Sequence, residues 1–115
     1  MLRVETQEAD GALICRLEGR FTGDGAEDVR LLVIRCDSDL ELVVDLTEVM
    51  FIDAVGEEVL LFLKKLGGHF VAETAYSHHI CERLQLPLIS NMSTTHKLRS
   101  NKNGKNNRTA PGRLQ

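Results

Sequence analysis

The sequence predicts a single α/β domain with a mixed, mostly parallel sheet, an antiparallel amino-terminal edge strand and helices packed on one face. Three observations favour this class. Strand-like and helix-like stretches alternate along the chain, and strands that alternate with helices run parallel through right-handed crossovers. The first two strand-like stretches are joined by Asp10-Gly11, a strong hairpin signal. The 115 residues are 43% hydrophobic, which suffices for one core but not for two.

The first two strands are predicted at Arg3 to Glu8 and Ala12 to Leu17. The glycine-rich stretch Gly19 to Gly25 follows and is expected to be a connection. Asp24 precedes Glu27 by three residues, which resembles a capping box, so a helix should begin there. The apolar positions of that helix recur at helical spacing and predict an inward face: Ala26, Val29, Leu32, Val33 and Cys36.

The stretch from Leu42 to Leu66 is the centre of the predicted fold. Its first apolar run ends at Asp45 and is typical of a short buried strand. A second apolar patch, Val49 to Ile52, leads to Asp53, which is expected to cap an amphipathic helix. That helix should stop at a pair of glycines. Its inward stripe is predicted from residues three and four apart: Val55, Val59, Leu63 and Leu66, widened by Leu60 and Phe62.

The remaining elements are short. His69 to Ala72 is predicted to be a buried strand. Ser77 is expected to cap a helix that ends before Pro87, since proline cannot continue a helix. Leu88-Ile89 is a candidate start for a last strand. No apolar run approaches the roughly 20 residues that span a bilayer, and the start lacks the pattern of a signal peptide, so we expect a cytoplasmic protein.

Two loops are predicted to meet beyond the carboxyl ends of the parallel strands, where sites collect in sheets of this kind. They are Phe21 to Gly25 and Met50 to Gly56, so Thr22 is expected to lie beside Asp53 and Ala54. Neither loop contains a phosphate-binding glycine motif or a nucleophilic serine elbow. This end of the sheet is therefore expected to bind and not to catalyse.

Other candidates for chemistry are weak. Asp45 and Asp53 are less favoured as paired carboxylates than as a strand end and a helix cap. His78-His79 are adjacent on a helix and point about 100° apart, so a solvent-facing pair is favoured over a metal site. The odd number of cysteines and the lack of a CxxC pair favour reduced core thiols. We expect no catalytic residue, no metal and no cofactor.

The charge is uneven. Residues 94–115 carry +6 and no acid, while the rest of the chain carries −9. An acidic body is a poor candidate for nucleic-acid binding. The basic tail, residues 91–115, is expected to be disordered because it is polar and lacks apolar periodicity.

The stretch from Val44 to Gly56, with the leucine-rich helix and double glycine after it, resembles the signature of STAS domains, the anti-sigma factor antagonist family. The family pattern is roughly V-D-L-S-x-V-x-F-I-D-S-x-G, and the resemblance covers about residues 3–89. It implies a STAS-like domain over residues 1–90 and a non-enzymatic regulator of transcription in bacterial signalling. It also implies partner switching with an anti-sigma factor or serine kinase-like protein, or with other STAS subunits, and no membrane.

The chain departs from the family pattern at one position. In the family, the serine after the aspartate is phosphorylated, and the unmodified form binds the kinase. Ala54 stands there in this sequence. The resemblance therefore implies a permanent binder, or a switch moved to Thr22, although a plain loop threonine is the favoured interpretation of Thr22. The residues expected to contact a partner are Thr22, Asp53, Ala54, Val55, Gly56 and Glu57.

A second function remains open. Some members of the family are thought to bind nucleotides or lipids near the same loop. Here the loop offers Arg20 as its one basic residue, so an anionic ligand would depend on backbone amides. A small-molecule sensor is therefore the alternative, and the sequence leaves the oligomeric state open.

Overall fold

A computed structural model describes residues 1–89 and confirms the α/β class, with a four-stranded mixed sheet and three helices. The predicted disordered tail, residues 91–115, lies outside the described residues. In chain order the elements are β1 (Leu2–Ala9), β2 (Ala12–Phe21), α1 (Gly23–Ile34), β3 (Glu41–Ile52), α2 (Ala54–Lys65), β4 (His69–Val71) and α3 (Ala75–Leu84).

The strands lie in the order β1-β2-β3-β4, with β1 antiparallel to β2 and the other pairs parallel. Asp10 and Gly11 both have positive φ, as a two-residue hairpin turn requires, and they join β1 to β2 as predicted. Leu88 forms a single parallel bridge with Phe70, and the Ile89 N–H donates to the Phe70 carbonyl at 2.8 Å. The candidate last strand is therefore one bridge long within the described residues.

The prediction that Gly19 to Gly25 forms a connection is wrong. β2 continues to Phe21, and α1 begins at Gly23, so that Thr22 alone separates strand from helix. The extension stays paired on both sides: the Arg20 N–H donates to the Met1 carbonyl, and β3 runs alongside to Ile52. Pairing with two neighbouring strands here outweighs the local preference of glycine for turns.

The prediction that Asp45 ends the central strand is also wrong, because β3 passes through it and continues to Ile52. Asp45 is only 7% exposed. Its carboxylate accepts a hydrogen bond from the Thr47 N–H at 2.9 Å and lies 3.6 Å from Nε of Arg16, and these two partners satisfy the buried charge. The core-facing residues of β3 are spaced by two, two, three and three: Leu42, Val44, Leu46, Val49 and Ile52.

Register shifts explain that spacing. Between β2 and β3 the pairing skips one residue of β3 after Asp45 and another after Val49. Each bulge places two residues where a regular strand would place one. The first bulge keeps the charged Glu48 out of the core. The two apolar patches of the sequence therefore belong to one strand, in which each bulge shifts by one residue the positions that face the core.

The three helices contribute to one core cluster on a single face of the sheet, as predicted. Arg30 of α1 lies over the Phe62 ring of α2, so these helices pack side by side. The buried helix residues are Ala26 and Val29 in α1, Gly56, Val59, Leu60 and Leu63 in α2, and Ser77, Ile80 and Cys81 in α3. Of the predicted stripes, Leu32, Val33 and Cys36 are half-buried, and Leu66 is exposed where α2 ends.

The start of α3 differs from the prediction. Thr74, not Ser77, is the N-cap, and Ser77 is the third helical residue of a reciprocal capping box. The helix ends at Leu84, followed by Gln85 with φ 56°, before Pro87 as predicted. No helix within residues 1–89 is long and apolar enough to cross a membrane.

All three cysteines are free thiols. Cys15 and Cys81 are buried, and burial raises the pKa of each thiol to about 11. Cys36 is half-buried. A thiol with such a raised pKa is protonated at neutral pH and is a poor nucleophile, which agrees with core thiols at Cys15 and Cys81.

Candidate functional site

Two single-residue connections lie side by side at the carboxyl edge of the parallel strands. Thr22 joins β2 to α1, and Asp53 joins β3 to α2. The last residues of the two strands, Phe21 and Ile52, are paired in the sheet register, which brings the two connections together. The two connections are therefore neighbours in the structure, as the sequence predicted.

Asp53 caps two helices at once. One carboxylate oxygen, Oδ1, accepts a hydrogen bond from the Gly56 N–H of its own helix at 2.8 Å. The other oxygen, Oδ2, accepts from the Gly23 N–H at the start of α1 at 3.2 Å. A carboxylate at this place complements the positive ends of both helix dipoles. The sequence indicated the first bond, but it gave no signal for the second, which spans 30 residues.

This arrangement corrects the prediction that Asp24 caps α1. Asp24 is exposed in the first turn, and the N-cap is Thr22, whose side chain makes no capping bond. Asp53 instead accepts from the first amide of α1, that of Gly23, whereas the side chain of a cap residue ordinarily accepts from the second or third amide. The left-handed φ of +47° at Gly23 accompanies this bond and favours glycine.

Gly56 fixes how closely α2 approaches the sheet. It is buried, and a Cβ there would collide with the Phe21 carbonyl oxygen and lie 2.9 Å from Cγ2 of Ile52. The first turn of α2 therefore rests directly on the ends of β2 and β3. Both bonds of Asp53 and this contact hold the loop in one position.

The predicted contact residues differ in how far a partner could reach them. Ala54 is exposed at the first position of α2, whereas Thr22, Val55 and Glu57 are half-buried. Gly56 is buried, so the structure gives it a packing role. Their role in binding stays a prediction, and Ala54 is the most accessible of them.

Glu57 has a partner that the sequence did not indicate. Its carboxylate forms a bidentate ion pair with Arg83 of α3, one branch of which, Nη1 to Oε1, is 3.4 Å long. The hydrogen bond and the charge of Glu57 raise the pKa of Arg83. The pair joins α3 to the first turn of α2, and because it is exposed it contributes little to stability.

Next to this loop lies a small exposed surface that we call the outer patch, made of Arg20, Met50 and Phe51. Met50 is 74% exposed and Phe51 is 42% exposed. The Arg20 guanidinium lies 4.6 Å from the centroid of the Phe51 ring. Sequence reasoning placed both residues in an apolar patch and in the predicted loop Met50 to Gly56, and it did not predict that they are exposed near the end of β3.

Among residues 1–89, no three His, Cys, Asp or Glu side chains come together as metal ligands would. His78 and His79 are exposed on α3, and Nδ1 of His78 lies 3.7 Å from Glu82. The carboxylates of Asp45 and Asp53 are each engaged by backbone amides.

An apolar cleft of about 240 Å³ lies at the opposite end, where the parallel strands begin. Most of its lining residues are aliphatic: Leu13, Val33, Ile34, Leu40, Leu42 and Leu66. None of them belongs to the loops around Asp53. The cleft is therefore separate from the candidate site.

No protein-family model and no curated protein matches the sequence. Solved structures do match. An anti-sigma factor antagonist from Mycobacterium paratuberculosis has a TM-score of 0.64 at 21% identity, over 76% of this chain and 85% of that one. The anti-sigma factor antagonist SpoIIAA in its unphosphorylated form has a TM-score of 0.63 at 11% identity, over 87% of this chain and 99% of that one.

The chain has the STAS-like fold of these anti-sigma factor antagonists. An uncharacterised protein with a SpoIIAA-like fold from Shewanella loihica gives the same result, with a TM-score of 0.56 at 10% identity over 84% of this chain and 90% of that one. At these identities the likeness establishes the fold, and the resemblance of the Val44 to Gly56 motif to STAS domains agrees with it. What the STAS-like chain binds is a separate question.

Proposed function

We propose that this protein is a cytoplasmic, non-enzymatic regulatory module that docks onto a protein partner through the start of α2. The partner is an anti-sigma factor or serine kinase-like protein, or another STAS subunit of a regulatory assembly. The contact surface comprises the exposed Ala54 and its neighbours Thr22, Asp53, Val55 and Glu57, and the buried Gly56 supports them against the ends of β2 and β3.

The observation that carries the proposal is the exposed methyl group of Ala54 on a fixed helix start. Asp53 is held through both carboxylate oxygens, and Gly56 is pressed against Phe21. A partner that docks here meets a preorganised surface and loses little conformational entropy in ordering it. A phosphate at the same place would add a charge of about −2, which is enough to change such a contact.

Ala54 has no hydroxyl, so phosphorylation cannot occur at this position. The protein then stays in its binding form unless another residue carries the switch. This is the behaviour expected of a constitutive antagonist or of a scaffold subunit in a larger assembly.

Thr22 is the candidate for such a displaced switch. Its hydroxyl makes no capping bond, and the residue precedes Gly23, whose N–H donates to Asp53. A phosphate on Thr22 would stand near the Asp53 carboxylate, and like charges would repel. Incubation of the wild type and of Thr22→Val with the partner kinase, followed by phosphate mapping by mass spectrometry, tests this. Absence of modification at Thr22 in the wild type would remove the switch and leave the docking surface.

The docking surface is tested by capture from native lysate with immobilised wild type, Ala54→Glu and Ala75→Glu. Ala75 is the matched control, because it is also the exposed first residue of a helix directly after its cap. We expect one protein to be retained by the wild type and by Ala75→Glu and to be lost by Ala54→Glu. Equal retention by all three proteins would contradict the proposal.

The small-molecule alternative has less support at this site. Asp53 already occupies amides at the starts of α1 and α2, so an anionic ligand would have to displace a carboxylate or lie beside its charge. A thermal-shift screen with nucleotides separates the two functions. A ligand at a hundred times its dissociation constant adds about 2.7 kcal/mol of stability, and such a shift would favour the sensor.

A further inference from the structure

The second bulge of β3 leaves two large apolar side chains outside the core. After the inward-facing Val49, a regular strand would turn Phe51 inward. The register instead pairs Gly19 with Val49 and Arg20 with Phe51, and it skips Met50. Ile52 takes the inward position, while Met50 and Phe51 both remain exposed. Bulges in parallel pairs are rare, and bulges often serve to aim side chains beside functional sites.

The exposed pair lies close to the start of α2 along the chain. Met50 and Phe51 precede Ala54 by four and three residues, so they lie within about 14 Å of it along an extended chain. Met, aromatic residues and Arg are the residue types enriched at protein interfaces. The outer patch contains one of each.

Arg20 is available for a partner. Among the six arginines of residues 1–89, four form ion pairs with carboxylates: Arg3, Arg16, Arg30 and Arg83. Arg20 forms none with the described residues and stacks on Phe51 instead. A guanidinium that lies on an aromatic ring keeps its N–H groups free to bind a carboxylate bidentately.

We infer that the outer patch is the anchor of the partner interface, and that the partner presents an apolar surface with a carboxylate aimed at Arg20. This rests on the proposed function, which it extends from Ala54 to a second set of residues. The chain's own residues 90–115 contain no acidic side chain, so no side chain of that segment can supply the carboxylate.

The test uses the purified protein that the wild type retains and Ala54→Glu releases, titrated calorimetrically against full-length variants. We expect Phe51→Thr to weaken binding about tenfold or more, since exposed aromatic anchors behave as hot spots. Arg20→Gln is expected to weaken binding about fivefold and to reduce its dependence on salt concentration, because it removes a charge pair.

Two matched controls lie on α1 and at its end. Ile34 is 51% exposed, and Arg35 is exposed and forms no ion pair with the described residues. Ile34→Thr and Arg35→Gln should each stay within about twofold of wild type, as peripheral positions do. Circular dichroism and the urea midpoint check that each variant folds. If Phe51→Thr does not fold, Arg20→Gln alone still tests the outer patch.

The outcomes are distinguishable. If Phe51→Thr and Arg20→Gln bind as the wild type does while Ala54→Glu does not, the outer patch is not the anchor and the proposed function stands. If no protein distinguishes Ala54→Glu from wild type, the proposed function fails and this inference fails with it. A wild-type dimer in sedimentation that Phe51→Thr splits would overturn the inference in favour of a second copy.

Discussion

The starts of α2 and α3 have the same plan but are stabilised differently. Each begins with a capping side chain, followed by an exposed alanine, Ala54 in one and Ala75 in the other. In α3 the Thr74 and Ser77 side chains satisfy each other's backbone amides within four residues. In α2 the Asp53 carboxylate also reaches back to α1.

The difference separates local structure from a tertiary junction. A capping box needs nothing beyond its own turn, so it can form in any surroundings. The start of α2 makes its full set of contacts only when β2, β3 and α1 are in place, because Asp53 and Gly56 both contact residues of the β2–α1 region. A surface held in this way is well suited to recognition by a partner, since its geometry is fixed before binding.

The largest contrast is expected at the third residue of each helix. Gly56→Ala places a methyl group against the Phe21 carbonyl and should lower the free energy of unfolding by about 3 kcal/mol, at the upper end of overpacking effects. Ser77→Ala removes the hydrogen bonds of the Ser77 hydroxyl, which stay within one turn, and should cost about 1 kcal/mol. Urea denaturation of both variants measures the difference.

A loss of stability in Gly56→Ala no larger than in Ser77→Ala would mean that α2 can move away from the sheet at little cost. In that case the start of α2 would not be a fixed surface. Gly23→Ala serves as a control for backbone strain alone, because nothing lies within 4 Å of the added carbon while φ is +47°.

Removal of the caps should give the next largest contrast. Asp53→Ala leaves amides of two helices without their acceptor and should lower stability by about 2–3 kcal/mol, whereas Thr74→Ala should cost about 1 kcal/mol. Asp53→Asn keeps one acceptor oxygen and should fall between the two. Urea midpoints at constant slope provide the measurement, and a loss for Asp53→Ala no greater than for Thr74→Ala would argue against a shared cap.

At the exposed alanines the stability contrast should vanish. Glutamate at the first position of a helix interacts favourably with the dipole, so Ala54→Glu and Ala75→Glu should each change stability by no more than about 0.5 kcal/mol. Thermal unfolding checks this. If both variants are stable, loss of the partner by Ala54→Glu alone is caused by the changed contact surface. A large destabilisation of Ala54→Glu would instead mean that the partner is lost because the variant unfolds.

The smallest effect is expected where the two regions touch. Arg83→Gln breaks the exposed ion pair between α3 and Glu57, and surface ion pairs of this kind contribute little. The urea midpoint should stay within error of the wild type, in 0.1 M salt and without added salt. A clear drop would show that α3 supports the start of α2 after all.

The sequence predicted those parts of the molecule that depend on nearby residues. The Asp10-Gly11 hairpin and the Asp53 cap each follow from signals within a few positions, and the structure has both. The central motif, 13 residues from Val44 to Gly56, also indicated the fold through its resemblance to the signature of STAS domains.

What the sequence missed depends on contacts between distant segments. Gly19 to Gly25 looked like a loop because its pairing with β1 and β3 is not visible locally. Asp24 looked like a cap because the true acceptor, Asp53, comes from another loop. The outer patch was hidden by a bulge, and only the three-residue spacing from Leu46 to Val49 and from Val49 to Ile52 would have revealed it.

The shared capping of α1 and α2 by Asp53 can be measured as hydrogen exchange of two amides by NMR. We expect the Gly23 and Gly56 amides of the wild type to be protected, Asp53→Ala to accelerate the exchange of both, and Thr74→Ala to accelerate neither. Equally fast exchange of the Gly23 amide in the wild type and in Asp53→Ala would mean that Asp53 does not hold α1 and α2 together.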